Sequence, residues 1–120
     1  MTDEALGREP TRLAVIWSSA DPEVAHQVCF MYTHNATRAG WFDQVQLIVW
    51  GPSAPLLAGD AGLQARVKEM LADGVVGRAC VSCSDHYGVS QDLRELGLTV
   101  TGMGKPLSDL LQSGWKVLTF

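Results

Sequence analysis

Two thiols three residues apart, Cys80 and Cys83 in a Cys-Val-Ser-Cys step, close an apolar run and lead into a helix-like stretch. In an open α/β sheet the carboxyl end of a strand faces the crevice where reactive groups are presented, and the free N–H groups of the next helix start favour thiolate over thiol. Either cysteine therefore suits nucleophilic chemistry at sulfur. The plainer alternative is a pair of small, semi-apolar residues packed where strand meets helix. Strand alternation puts Arg78 on the face of Cys80 and Ala79 on the other, so Arg78 either helps to ionise Cys80 or runs out to solvent. Asp85 and His86 beside Cys83 suggest a Cys-His pair with His86 as proton handler, against simple surface exposure. Cys80, Cys83 and His86 have metal-ligand spacing but no visible fourth ligand, so neither a metal nor any other cofactor is expected. The third thiol, Cys29, lies on the apolar stripe of a helix and is read as a core residue.

The elements that must position these groups alternate along the chain. Leu13–Trp17 is a continuous apolar run, as expected of a strand covered on both faces, and it breaks at Ser18-Ser19-Ala20-Asp21-Pro22. Asp21, Pro22 and Glu23 suit the start of a helix whose stripe is Val24, Val28 and Tyr32, with Ala25 and Cys29 beside them, and which Gly40 stops. His26 and His34 fall off that line and are expected to be solvated. A second strand, Val45–Trp50, ends at Gly51-Pro52-Ser53, and Leu63, Val67, Met70 and Leu71 mark a second long helix. The third strand covers 75–81. A third helix begins near Ser84 or at Ser90 and ends at Gly97; Leu98–Val100, a short helix over 106–111 and a strand over 116–120 complete the chain. Such alternation predicts one three-layer α/β/α domain with a five-stranded parallel sheet over 12–120, preceded by a polar tail over 1–11.

Three crevice loops follow from this layout: Ser18 and Ser19, then Gly51, Pro52 and Ser53, then Gly102 and Gly104. The serines are expected to cap a helix in preference to binding an anion. The glycine pair lacks a third glycine and any Gly-Lys-Ser/Thr ending, so it reads as a turn and not a phosphate loop. A net charge of −4 with only nine Lys and Arg argues against nucleic-acid binding. No apolar run approaches the roughly 20 residues of a membrane helix, no signal segment is expected at the start, and three cysteines, an odd number, disfavour a disulfide framework. A cytoplasmic protein with reduced thiols is the expectation.

Several segments taken together, Trp50-Gly-Pro-Ser53, Ala79-Cys-Val-Ser-Cys83 with Ser84-Asp-His-Tyr-Gly-Val89, Gly104-Lys-Pro-Leu107 and Gly114-Trp-Lys-Val-Leu-Thr-Phe120, resemble the DsrE/DsrF-like family over about residues 12–120. The resemblance implies a small α/β protein that assembles as a homotrimer or homohexamer and relays sulfur as a cysteine persulfide. In the family the sulfur-carrying cysteine stands eight residues before a Gly-Val pair, and Cys80 stands eight before Gly88-Val89. Cys83 is a departure from the sulfur-relay subunits.

The functional expectation is a sulfur-handling protein. Cys80 takes a sulfane sulfur from a donor protein or small species and passes it to an acceptor, and Cys83 is a candidate resolving thiol. Two other readings stay open, a thiol-disulfide switch through Cys80 and Cys83, and an oligomeric binding scaffold with inert cysteines.

Overall fold

Apolar runs without alternation become the inner strands of the sheet. In the computed structural model, which describes residues 9–120, β1 is Arg12–Trp17 and β2 is Gln44–Val49, and five consecutive residues of β2 are buried. β3 (Val76–Cys80), β4 (Thr99–Thr101) and β5 (Lys116–Thr119) complete an all-parallel sheet in the order β4-β3-β2-β1-β5. The five-stranded parallel architecture is the one expected. Of the expected polar tail, residues 1–8 lie outside the described residues.

The helical layers are unequal. One face carries α1 (residues 22–38), α2 (Ser53–Ala58), α3 (Ala61–Ala72) and α5 (Ser90–Leu96), whose Leu57, Leu63, Val67, Met70 and Leu93 pack on Leu13, Val15, Leu47 and Val49. On the opposite face α6 (Gly104–Gln112) contributes Leu110 to a smaller cluster with Ala14, Ile48, Cys80 and Met103. The short α4 (Val81–His86) leaves β3 directly. The region after Cys80 is thus two helices, α4 and α5, where one was expected; Gly88, at φ 71°, makes the left-handed turn between them. Gly104 opens α6 and is not a loop residue, because Met103 already takes a helical conformation as its N-cap.

α1 departs most from its expected pattern. It consists of Pro22–Val24, a π-helical stretch Ala25–Phe30, and Met31–Arg38. Its start is as read: the Asp21 side chain accepts from the Glu23 amide at 2.8 Å and Pro22 takes the first turn. Within the π stretch the repeat is five residues, so Ala25 and Phe30 both turn inward, with the Phe30 ring edge-on to Trp17 at 4.8 Å. The helix therefore rotates: Val28 ends up 45% exposed, Phe30 and Thr33 join Ala25 and Cys29 on the buried side, and Tyr32 stays packed against the core. The same rotation buries His34, contrary to expectation. Its Nε2 lies 2.7 Å from Oδ2 of Asp73, which also accepts from Arg38 Nε at 2.9 Å. These bonds, that from His34 foremost, hold the Asp73 carboxyl below its ordinary range and tie the end of α1 to the end of α3.

Candidate functional site

Register places the thiols. β3 pairs with β2 so that Ile48 lies beside Arg78, and with β4 so that Cys80 lies beside Thr101. Cys80 therefore belongs to the face covered by α6, as alternation predicts, while Ala79 enters the main core. Cys80 is also the N-cap residue of α4, with φ −72° and ψ 119°, so strand geometry persists to the residue where the helix begins. Cys83, one turn into α4, folds back onto the same cluster, which is walled by Ile16, Trp50, Trp115 and Val117.

The two thiols differ in depth. Cys80 is only 6% exposed, whereas Cys83 is half-buried, and both are free. Burial pushes the Cys83 thiol up; the backbone of Gly51 beside it acts the other way, and the neighbouring Cys80 raises it further. Gly51 is at φ 78°, a left-handed conformation that turns the chain sharply at the end of β2 and brings its backbone to that sulfur. Cys29, by contrast, is fully buried in the main core, and burial moves its thiol to about 12.

The other expected site residues separate into groups. Arg78 is half-buried on the face of Cys80 and, among the described residues, takes part in no ion pair. Asp85 accepts a hydrogen bond from the Ser90 hydroxyl, which in turn bonds the Ser84 hydroxyl at 2.6 Å, so its carboxylate is committed to joining α4 to α5. His86 is exposed and stacks edge-on against Tyr87 at 5.0 Å. Among the described residues no cluster of three His, Cys, Asp or Glu side chains is placed to hold a metal ion. Ser53 is buried with its hydroxyl donating to the Trp17 and Trp50 carbonyls, a structural tie between β1 and β2. Pro52, Gly102 and Gly104 are exposed around the rim.

The chain leaves β4 by way of α6 and returns beside β1, so the order of strands reverses between β1 and β5. That reversal is where an open sheet usually holds a ligand. Here the position is closed: the Ser18 and Ser19 amides and the Ser18 hydroxyl all donate to the Phe120 carbonyl, at 2.7, 3.2 and 3.2 Å. Ser19 accepts from the Asp21 amide, so the helix-capping duty belongs to Asp21 and the serines anchor β5. The paired thiols stand instead at the end of β3, beside the Gly51 turn that closes β2. Sequence reasoning named Gly51, Cys80 and Cys83 but missed the walls, Trp50, Met103 and Trp115. For Trp50 a signal existed, since it continues the Gln46-Ile48 alternation onto the face of Cys80.

A small parallel α/β domain with paired thiols at the carboxyl end of its third strand is the class these features define. The chain belongs to the DsrE/DsrF-like family, whose model matches residues 2–120 and so extends further toward the start than the sequence resemblance did. The conserved protein BT1422 of Bacteroides thetaiotaomicron, described as of unknown function, is similar in both sequence and structure: 33% identity, TM-score 0.87, covering 91% of this chain and 94% of that one. MTH1491 of Methanobacterium thermoautotrophicum, also described as of unknown function (17% identity, TM-score 0.75), and the ychN protein of E. coli (18%, 0.74) share the fold, each match covering 92% of this chain and 99% of the other. No curated relative matches the chain.

Proposed function

We propose that this protein carries or transfers sulfane sulfur, with Cys80 as the carrying thiol and Cys83 as its resolving partner. The observation that carries the proposal is the packing of both sulfurs into one cluster at the end of β3, in a chain whose family is associated with sulfur relay. Cys80 thiolate attacks the outer sulfur of a donor persulfide; the donor S–S bond breaks and the donor thiolate leaves. Attack by Cys83 on the Cys80 sulfur then expels hydrosulfide and leaves a Cys80–Cys83 disulfide, which an acceptor thiol or dithiol reduces. Alternatively, an external acceptor thiolate removes the outer sulfur and both cysteines stay reduced.

The contact between the two thiols also favours a second reading, a thiol-disulfide switch without sulfur transfer. Intact mass after incubation with inorganic polysulfide separates the two. One added sulfur on Cys80 supports the carrier, loss of two hydrogens alone supports the switch, and an unchanged mass leaves an inert scaffold. Cys80→Ser abolishes lasting storage of the sulfur if Cys80 is the carrier, leaving only a short-lived persulfide on Cys83, and Cys83→Ser prolongs the life of the Cys80 persulfide because its internal resolving thiol is gone. A persulfide as abundant and as long-lived in Cys80→Ser as in the wild type refutes the assignment.

The setting proposed is the cytoplasm, where thiols stay reduced. The described residues contain no helix long and apolar enough to cross a membrane. We further propose a homotrimer or homohexamer, in keeping with the family resemblance. Apolar side chains exposed in the single chain, among them Trp41 at 56% and the α6 residue Leu111, support it.

A further inference from the structure

We propose that Cys83 is the entrance of the site: it receives the sulfane sulfur first, from a persulfide whose thiol is too large to reach Cys80, and hands it inward. This rests on the carrier reading above and adds an order to it. Displacement at sulfur needs the nucleophile to approach along the S–S axis of the donor, so the accessible thiol reacts first. Cys80, 6% exposed, shares its cluster with Ile48, Met103 and Leu110, all three buried. A donor the size of a tripeptide meets Cys80 only if this packing opens. Cys83, half-buried and one helical turn further on, needs no such opening.

The chemistry balances without an oxidant or reductant. Cys83 thiolate attacks the outer sulfur of a donor R–S–SH; a bond from Cys83 to that sulfur forms, the donor S–S bond breaks, and RS⁻ leaves with the electron pair. Cys80 thiolate then attacks the same sulfur, and Cys83 leaves as thiolate while the proton stays on the travelling sulfur. Burial raises the Cys83 thiol, and the Gly51 backbone beside its sulfur partly offsets this, which helps both the attacking and the leaving anion. Return by the same route delivers sulfur outward, which is why loss of Cys83 lengthens the life of the inner persulfide as well as slowing its formation.

The test loads the full-length protein with glutathione persulfide or with inorganic disulfide, quenches at short times, and locates the added sulfur by fragmentation of the peptide holding both cysteines. With glutathione persulfide, sulfur is expected on Cys83 first and on Cys80 later. Cys83→Ser and Cys83→Ala are expected to slow loading of Cys80 from glutathione persulfide by about tenfold or more, and to change loading from the small inorganic donor little. Melting curves establish that each variant is folded. Wild-type loading rates in both variants with the large donor, or sulfur on Cys80 before Cys83, overturn the entrance role while leaving Cys80 a carrier. Failure of the wild type to load from either donor overturns the carrier reading itself.

Discussion

Cys29 should be chemically silent while the protein is folded, and the size of the effect follows from its position. It is fully buried in the π-helical stretch of α1, and burial raises its thiol from an ordinary 9.0 to about 12, with Thr33 only partly opposing the shift. At pH 8 about a tenth of an ordinary thiol is ionised, against about one in ten thousand for a thiol at 12, so the reactive thiolate falls roughly a thousandfold. The assay is pulse alkylation with iodoacetamide at pH 8, in buffer and in urea, with the three cysteines resolved by peptide mass. Cys29 is expected to react about a thousandfold slower in buffer than in urea, and well behind Cys83. The same shift has a pH signature. The unfolded thiol ionises near 9 and the folded one near 12, so the protection from a neutral Cys29 is complete below pH 9 and lost as pH climbs. The loss approaches about 4 kcal/mol by pH 12, and Cys29→Ala should remove it. Alkylation of Cys29 in the folded protein within about tenfold of its unfolded rate would refute the reasoning and make this thiol a candidate for the chemistry.

Three further outcomes follow from the packing. His34→Ala should cost about 1–3 kcal/mol in urea unfolding at pH 7, because it strips a buried ring and its bond to Asp73. The Asp73 carboxyl is held below its ordinary 3.8, so its contribution is present above that pH and disappears as pH falls further; His34→Ala should flatten this acid limb, and an unchanged limb would separate His34 from it. Gly77→Ala should destabilise by about 1–3 kcal/mol, since the added methyl meets the Leu98 and Leu71 side chains, the latter at 2.7 Å; wild-type stability would mean that both leucines yield freely. Light scattering at micromolar concentration should show a trimer or hexamer, and a monomer alone would remove the assembly proposal.

What could be read from the chain was what neighbours in sequence decide. The apolar runs of β1 and β2 announce strands buried on both faces, Asp21-Pro22 announces a helix start, and Gly97 at φ 110° caps α5 as its place in the sequence implies. The site fell partly within this reach, since strand alternation alone separates Cys80 from Ala79. What escaped depends on partners remote in sequence. The π stretch has no composition signature; it is visible only once Phe30 is seen against Trp17. His34 is buried by Asp73, 39 residues later, so its helical phase taken alone pointed to solvent.

The order of depth at the thiols belongs to this second kind, and the proposed relay rests on it. Period-two alternation assigns a face of the sheet but says nothing of what covers that face. Cys80 is deep because α6, which begins 24 residues after it, brings Leu110 into its cluster, and because Met103, one residue before that helix, is buried there too. Cys83 is shallower because α4 lasts only from Val81 to His86 and carries it back toward the Gly51 turn. A sequence-level ranking therefore favours Cys80 as the reactive thiol on its place at the strand end, while accessibility favours Cys83. In the proposed relay the two criteria concern different steps: holding sulfur is best done where water is excluded, and exchanging it requires a sulfur that a partner can approach in line. A buried thiol backed by a half-exposed one meets both needs, which a single cysteine at either depth does not.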